Sequence, residues 1–355
     1  MSNESQPLVS IVTPVYNEER YLAECVESIL AQRYTNWDYT ILNNASTDRT
    51  GEIARRYAWK DKRIRVVENP TCLPAIANHN AALRQISLDS KYCKVVFGDD
   101  WVFPDCLRCM VEVGEAHPSV GIIGAYGLEG SLVKWAGLDY PSTVISGRDI
   151  CRRLFLDSLY VFGSATSLMY RADLVRARDP FFNEANIHCD MEICVSLLKS
   201  CDFGFVHQIL TYTRPEEPGC MRSYSAELNT YAAGRLHNLV TFGPEYLNPQ
   251  EYQACLDKMI TEYYGTLVGG MLRGHDKGFW KFHKQKLTEA GIGLSLGRLS
   301  RVALAKSFDA ILNPKVTAEK ALEIGRELSS RRRRRAVQMD QAGSAKRLTR
   351  KVVAP

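Results

Sequence analysis

No stretch of this sequence approaches the roughly 20 consecutive apolar residues of a membrane-spanning helix. Met1 to Gln6 is polar and lacks the apolar centre of a secretory leader, so the expected compartment is the cytoplasm. There is no P-loop and no His-Glu-x-x-His pair, which sets aside P-loop NTPases and zinc proteases. Gly291 to Gly297 reads G-x-G-x-x-x-G, one residue off the dinucleotide fingerprint and with no strand before it, so it is read as a loop and a Rossmann dehydrogenase is set aside. Cysteine is plentiful, at 11 residues, but the count is odd and the positions scattered. The one C-x-x-C, Cys106 and Cys109, has no second pair at zinc spacing, so the cysteines are expected as small buried hydrophobes. His79, His188 and His207 show no ligand spacing, and each is read as a structural or surface histidine. No internal repeat is present.

What the sequence does contain is the composition of a soluble, well-packed chain, 45% hydrophobic and 24% charged over 355 residues. Its charge is uneven. Residues 331–355 carry nine Lys/Arg and one Asp, so this tail, at +8, exceeds the net +5 of the whole chain and leaves residues 1–330 at −3. The five arginines Arg331 to Arg335 are read first as a solvated, disordered tail and second as a contact for anionic lipid head groups. The body offers no basic, aromatic-interleaved stretch, so no specific nucleic acid is expected as a partner.

Along the chain, Leu8 to Thr13 is a continuous apolar run with β-branched residues, the pattern of a buried parallel strand. Asn17 is read as the cap of a helix with Leu22, Cys25, Val26, Ile29 and Leu30 on one face. Further strands are expected at Tyr39 to Leu42, Ile64 to Val67 and Val95 to Phe97. Helices are expected after Ser46-Thr47-Asp48, over Ile76 to Ile86 and from Pro104. This alternation predicts a doubly wound α/β sheet, whose ligands bind at the carboxyl ends of the strands. Val120 to Ala125 and Tyr160 to Tyr170 are read as strands. Asp190 opens a helix with the stripe Met191, Cys194, Val195 and Leu198. Beyond about Ser225 the chain reads as amphipathic helix to about Leu328. The expected organisation is a flexible terminus at 1–6, an α/β domain at 7–225, a helical extension at 226–330 and a disordered basic tail at 331–355.

The strand ends carry the candidate chemistry. Asp99 and Asp100 are adjacent carboxylates after a buried strand, where mutual repulsion is tolerated if a cation or donors compensate. Such hard oxygens suit Mg²⁺ or Mn²⁺ with phosphate completing the shell, although a simple turn accounts for the pair equally well. Asp190 could take a proton from a hydroxyl or could simply cap its helix. Glu192 lies about 200° further around that helix and cannot share a site with it. Tyr16, Asn17, Asn43 and Asn44 have groups suited to a base and ribose, and each also fits turn and cap chemistry. Asn78 and Asn80 sit in a helix where Asn is mildly disfavoured, a weak sign that they face a site.

In order and spacing these stretches resemble family 2 glycosyltransferases of the GT-A fold. The matching segments are Val9-Ser-Ile-Val-Thr-Pro-Val-Tyr-Asn-Glu18, Leu42-Asn-Asn-Ala-Ser-Thr-Asp-Arg-Thr50, Asn78-His-Asn-Ala-Ala-Leu83, Val95-Val-Phe-Gly-Asp-Asp-Trp101 with Pro104, and His188-Cys-Asp-Met-Glu192, over about Leu8 to Arg214. The resemblance implies a GT-A-type doubly wound mixed sheet flanked by helices, with a C-terminal helical extension. It implies that Pro14, Tyr16, Asn17 and Glu18 meet the nucleoside, that Asn43 and Asn44 lie at the base-reading loop, and that Asn78 lines the nucleotide-sugar site. It further implies that Asp99 and Asp100 bind ribose and the divalent cation, and that Asp190 is the catalytic base of an inverting transfer. Two residues depart from the family pattern. Phe97 stands where the longer D-x-D-D form has its first Asp, which rests metal binding on Asp100 with Asp99 helping. Asn replaces Asp at the base-reading loop, and an amide both donates and accepts where a carboxylate only accepts. A uridine diphosphate sugar is the expected donor, with cytidine and guanosine left open.

The resulting expectation is a metal-dependent transferase moving a sugar from a nucleotide-sugar donor to a saccharide or lipid-linked saccharide acceptor in cell-surface polysaccharide or glycolipid assembly. Arg298, Arg301, Lys306 and the basic tail would hold it to the inner face of an anionic membrane. The rival readings are a non-catalytic nucleotide-sugar-binding scaffold of the same fold and a nucleotidyltransferase. The second of these normally shows a Gly-rich basic loop where this chain has Pro-Val-Tyr-Asn-Glu.

Overall fold

Strand β1, Val9–Val15, is buried at every one of its seven positions, as a central parallel strand covered on both faces must be. The structure, a computed structural model, describes residues 6–215, 225 and 228–312. β1 pairs in parallel with β2, Trp37–Asn43, on one side and with β4, Tyr92–Val95, on the other. β2 in turn pairs in parallel with β3, Ile64–Glu68. Pro14 is tolerated in this strand because the ladder to β4 ends at Val12↔Val95, before the missing N–H would be needed on that side.

The helices between these strands cover both faces. α1, Leu22–Leu30, buries Leu22, Cys25, Val26 and Ile29, the i, i+3, i+4, i+7 stripe of its sequence. Burial of Leu22, Val26 and Ile29 contributes about 1.5–3 kcal/mol each before chain entropy is charged. With α2, Thr50–Lys60, and α4, Cys106–Ala116, it builds one core around Ile11, Tyr39, Leu107 and Met110. The opposite face carries a second core around Val12, Leu83, Ile150, Phe203 and Leu239. α3, Ala75–Leu83, α5, Gly147–Asp157, the short α6, Ala172–Arg176, and α7, Cys189–Leu197, belong to that side. Cys106 and Cys109 are core residues of α4, and among the described residues eight of ten free cysteines are buried.

The rest of the sheet departs from parallel winding. β9, Leu168–Arg171, runs antiparallel between β4 and β6, Val120–Glu129. β10, Asp202–Thr213, is parallel to β6 and carries the short β5, Trp101–Val102, at its far edge. The order is β3-β2-β1-β4-β9-β6-β10-β5. Two short strands lie off this path, β7, Leu132–Lys134, on β6 and β8, Val144–Ile145, on β10. The strand expected over Tyr160 to Tyr170 is instead a loop, a 3₁₀ turn at Ala165–Ser167 and the four residues of β9. Buried Val161, Phe162, Ala165 and Leu168 give that loop the apolar character of a strand without its pairing. α5 opens on Gly147 because a Cβ there would stand 2.1 Å from the Leu198 carbonyl oxygen and 2.2 Å from that of Cys201. Ser146 caps it by accepting from the Asp149 N–H at 3.1 Å.

The described residues form two units, divided between Met259 and Ile260. The first includes α8, Thr230–Tyr246, which packs on α5 and α7. The second holds the C-terminal part of α9, Pro249–Leu272, with α10, Lys277–Glu289, and α11, Leu296–Leu312. Leu267, Phe279 and Leu287 are its buried centre, and Tyr263 meets His283 Nδ1 at 2.7 Å. Of the loop expected over Gly291 to Gly297, residues 291–295 are irregular, while Leu296 and Gly297 already belong to α11. The helix expected to about Leu328 is described only to Leu312, and the basic tail lies outside the described residues. No helix among the described residues is long and apolar enough to cross a membrane.

Candidate active site

Because β1, β2, β3 and β4 run parallel, the loops that follow them emerge at one edge of the sheet. The loop after β1 and the loop after β2 are fastened to each other. Asn17, at φ 55°, donates its N–H to Ser46 Oγ at 3.0 Å and accepts the Thr47 N–H on Oδ1 at 2.8 Å. Glu18 N–H donates to Thr50 Oγ1 at 2.7 Å, and Glu19 N–H to Asp48 Oδ2 at 3.0 Å. Burial opposes ionisation of Asp48, but hydrogen bonds from Thr50 and the backbone of Glu19 outweigh it and hold the carboxyl below its usual range. Asn17 is therefore not the expected helix cap. α1 begins five residues later with Tyr21 at its N-cap, because Asn17 is held in a left-handed turn by a partner 30 residues away. Tyr16 stands 47% exposed at the rim of this clasp.

Asn43 and Asn44 are buried, and their side chains are engaged inside the protein. Asn43 donates to Glu68 Oε2 at 2.6 Å and accepts from the Ser46 N–H at 3.2 Å. Asn44 pairs with the Leu73 backbone in both directions, accepting from N–H and donating to C=O at 2.8 Å each, and also accepts from Asn69. Asn69 reaches on to Asn78 Oδ1 at 3.0 Å. Asn80 makes the same two-way clasp with the Phe182 backbone, at 2.8 and 2.9 Å. These amides act as side-chain peptide groups that fix the loop after β3 and the segment before α7. Asn78 faces this network, and Asn80 is turned to Phe182, away from the strand-end loops.

β4 ends at Val95 and is followed closely by Phe97-Gly98-Asp99-Asp100. A Cβ on Gly98 would stand 2.8 Å from Val15 Cγ1 and 3.2 Å from Glu18 Cγ, so glycine lets this turn press against the loop after β1. That contact sets Glu18 against Gly98, the residue before Asp99. Asp100 is 1% exposed and accepts the Arg214 N–H at 3.1 Å, while Asp99 is only partly buried. Arg214, which sequence reasoning passed over, donates Nε to the Asp99 carbonyl at 3.1 Å and pairs with Glu24 at 2.6 Å. Its guanidinium lies over the Tyr21 ring at 3.9 Å. Lys94 is fully buried, its ammonium donating to the carbonyls of Thr166 at 2.7 Å and Leu168 at 3.0 Å. Burial pulls its pKa down, and Cys106, Cys93 and Asp100 oppose the shift. His79 packs on Phe97 with ring centroids 4.9 Å apart, and burial lowers its pKa to about 4, so it is neutral at pH 7.

Asp190 lies in the first turn of α7, with His188, not Asp190, at the N-cap. Its Oδ1 accepts the Met191 N–H at 2.8 Å. The residue keeps a solvent-facing edge, yet burial of its carboxyl raises the pKa to about 6, against weaker backbone hydrogen bonds. His188 anchors the turn through Thr230 Oγ1 at 2.9 Å, and Glu192 ties it to Asn183 and Asn186. Burial works against Glu192, but bonds from His237, Asn186 and Asn183 keep it ionised. The segment 160–168 links the two carboxylate groups. Thr166 Oγ1 accepts the Phe97 N–H at 3.1 Å, and at the other end Tyr160 lies in the field of Asp190.

Asp99 and Asp100 offer two sets of hard oxygen atoms. No group of three or more His, Cys, Asp or Glu side chains able to hold a metal occurs among the described residues. A carboxylate pair of this kind fits a divalent ion that takes its other ligands from phosphate and water.

Residues 10–177 match the sequence profile described as Glycosyl transferase family 2. The protein EpsE of Bacillus subtilis is 34% identical over 156 residues, covering 41% of this chain and 55% of EpsE, so the chain spans about half the length of that relative. Among solved structures, Staphylococcus aureus TarS 1–349 in complex with UDP-GlcNAc superposes with TM-score 0.59 at 16% identity, covering 79% of this chain and 80% of that one. The mannosyltransferase PcManGT of Pyrobaculum calidifontis, in complex with GDP-Man and Mn²⁺, gives TM-score 0.52 at 16% identity over 90% and 85%. At such identity these two speak for the fold, which is the GT-A arrangement expected from the strand-end motifs.

Proposed function

We propose, from the premise that this chain belongs through residues 10–177 to glycosyl transferase family 2, that it transfers a sugar from a nucleotide-sugar donor to an acceptor hydroxyl with inversion at the anomeric carbon. The observation that carries this reading is the pairing of two unlike carboxylate sites. Asp99 and Asp100 lie at the end of a buried parallel strand, and Asp190, with its pKa raised to about 6, lies at the start of α7.

The nucleoside is held between the loops after β1 and β2, with Tyr16 on its exposed face. Pro14, Asn17 and Glu18 fix the first loop, and Asn43, Asn44 and Asn78 fix the walls opposite. A divalent cation, Mn²⁺ or Mg²⁺, held by Asp99 and Asp100 with the donor diphosphate, would neutralise the charge that departs with the leaving group. Asp190 receives the acceptor proton as that oxygen bonds the anomeric carbon and the bond to the diphosphate breaks through an oxocarbenium-like state. A carboxylate poised near pH 6 suits this work, since it is ionised at pH 7 and still basic, and such a group contributes about 10²–10⁴-fold. The donor we favour is a uridine diphosphate sugar.

The acceptor we propose is a saccharide or lipid-linked saccharide of a cell-surface polysaccharide, met at the inner face of the membrane. Support comes from α11, where Leu304, Phe308 and Leu312 are exposed at four-residue spacing beside exposed Arg298 and Arg301. The test of the activity is product analysis with a panel of nucleotide-sugars and saccharide acceptors in Mn²⁺. Release of nucleoside diphosphate with a β-linked product from an α-linked donor is expected. Release of pyrophosphate points to a nucleotidyltransferase, and tight donor binding without turnover points to a scaffold.

A further inference from the structure

Between the two carboxylate sites lies a group of residues that the proposed chemistry leaves unused. Ser167 and Thr211 are fully buried, and neither side-chain oxygen has a hydrogen-bond partner. Buried hydroxyls are normally paired, so two orphans together suggest an absent polar ligand. Trp135 reaches the neighbourhood of both across two glycines. A Cβ on Gly127 would stand 2.9 Å from Trp135 Nε1 and 3.0 Å from Thr211 Oγ1. A Cβ on Gly163 would stand 2.9 Å from Trp135 Cε2 and 2.8 Å from Ser167 Oγ. The two glycines therefore make room for the Nε1 edge of one indole, which has Thr211 on one side and Ser167 on the other.

The backbone holding that indole is strained. Trp135 sits at φ 63°, a region that bulky residues rarely adopt and that tends to persist where function needs it. Its ring meets Tyr160 edge-on, with centroids 5.8 Å apart. Tyr160 is in turn the aromatic neighbour of Asp190, and the 3₁₀ turn that carries Ser167 is bonded through Thr166 to Phe97, beside Asp99 and Asp100.

We propose that Trp135 closes a saccharide subsite: in the ligand-free chain its indole lies between Ser167 and Thr211, and a pyranose ring takes that place, bonding both hydroxyls and stacking on the displaced indole. The inference rests on the transferase reading and adds the residues that select the sugar. A polyhydroxylated ring suits the place because its hydroxyls satisfy the floor while its apolar face suits an indole. The ring is that of the donor or that of the acceptor, and the chemistry of recognition is the same.

The test uses the whole chain labelled with 5-fluorotryptophan, the Trp135 resonance being assigned by Trp135→Phe. UDP and GDP with Mn²⁺ are added first, then UDP-GlcNAc, UDP-glucose and GDP-mannose, and then free methyl glycosides to the UDP-loaded chain. The Trp135 resonance moves with a nucleotide-sugar if the ring is the donor's, or with a methyl glycoside if it is the acceptor's, and stays still with UDP or GDP alone. In parallel, Ser167→Ala and Thr211→Val raise the melting temperature, because each removes an unsatisfied buried hydroxyl. They also weaken binding of the same sugar at least fivefold and leave the nucleoside diphosphate affinity unchanged, a combination that a merely structural role would not give. If diphosphate binds but Trp135 stays still with every sugar and the two variants bind sugar as wild type does, this inference is overturned while the transferase reading stands. If no nucleoside diphosphate binds wild type, the transferase reading falls and this inference with it.

Discussion

Replacing Asp190 by Asn removes a charge while keeping an oxygen that can accept the Met191 N–H, now at 2.8 Å. Burial raises the carboxyl from 3.8 to about 6. The folded state therefore binds this proton more tightly than the unfolded chain does. Well below pH 3.8 both states are protonated and the burial of the group is without penalty. As pH rises from about 4 to about 6 the unfolded carboxyl ionises first and stability falls, levelling off above 6. Two units at about 1.4 kcal/mol each make the loss about 3 kcal/mol at neutral pH. An amide does not ionise and has no such loss, so the Asp190→Asn variant should nearly match wild type near pH 4 and exceed it by about 3 kcal/mol at pH 7.5. For a unit of this size that is about 6 °C in Tm. Urea unfolding at the two pH values measures the difference directly. The variant should also lose about 10²–10⁴-fold in kcat, and the wild-type rate should rise through an acid limb near pH 6. A stability difference that is the same at pH 4 and pH 7.5, or a variant less stable than wild type at pH 7.5, refutes the reasoning.

Asn44→Ala removes the partner of both polar groups of the Leu73 backbone and of Asn69. Loss of about 3 kcal/mol is expected in urea unfolding, since buried groups left unpaired cost about 1–3 kcal/mol each and some find water. Gly234→Ala puts a Cβ 2.6 Å from His188 Cδ2, and that ring is held by Thr230. Despite a better helix propensity, a net loss of about 1–2 kcal/mol is expected, with a fall in kcat because His188 caps the turn that carries Asp190. Phe308→Glu on α11 should weaken co-sedimentation with vesicles containing phosphatidylglycerol, and raised salt should weaken that of wild type. Equal sedimentation with neutral vesicles would count against the membrane docking we propose.

The parallel half of the sheet was legible because strands buried on both faces read as unbroken apolar runs, and β1 is buried throughout. α1 was legible from its 3.6-residue stripe. Asp100 stood out because a second carboxylate after such a strand requires compensation, which Arg214 supplies from 114 residues away. The same distance is why Arg214 itself went unseen. Asn17, Asn43, Asn44 and Asn80 were ambiguous for a related reason. An asparagine that clasps a backbone segment far along the chain has the same local signature as one that caps a helix or reads a ligand, and only the fold brings its partner near. β9 was blurred because its four residues follow a buried apolar loop, so hydrophobicity ran on where pairing did not. The orphaned hydroxyls of Ser167 and Thr211 have no sequence signature at all, since any serine or threonine can be paired or unpaired.

The central claim is that Asp99 and Asp100 join a metal ion to a nucleoside diphosphate. It is tested most directly by thermal unfolding with UDP, GDP, dTDP, CDP and CMP, each with and without Mn²⁺, on wild type and Asp100→Asn. A nucleotide present at about 100 times its Kd should add roughly 2.7 kcal/mol. The account predicts that one nucleoside diphosphate stabilises wild type only when Mn²⁺ is present, and that Asp100→Asn, folded without ligand, loses the effect. Stabilisation that is indifferent to Mn²⁺ or unchanged in Asp100→Asn would contradict it.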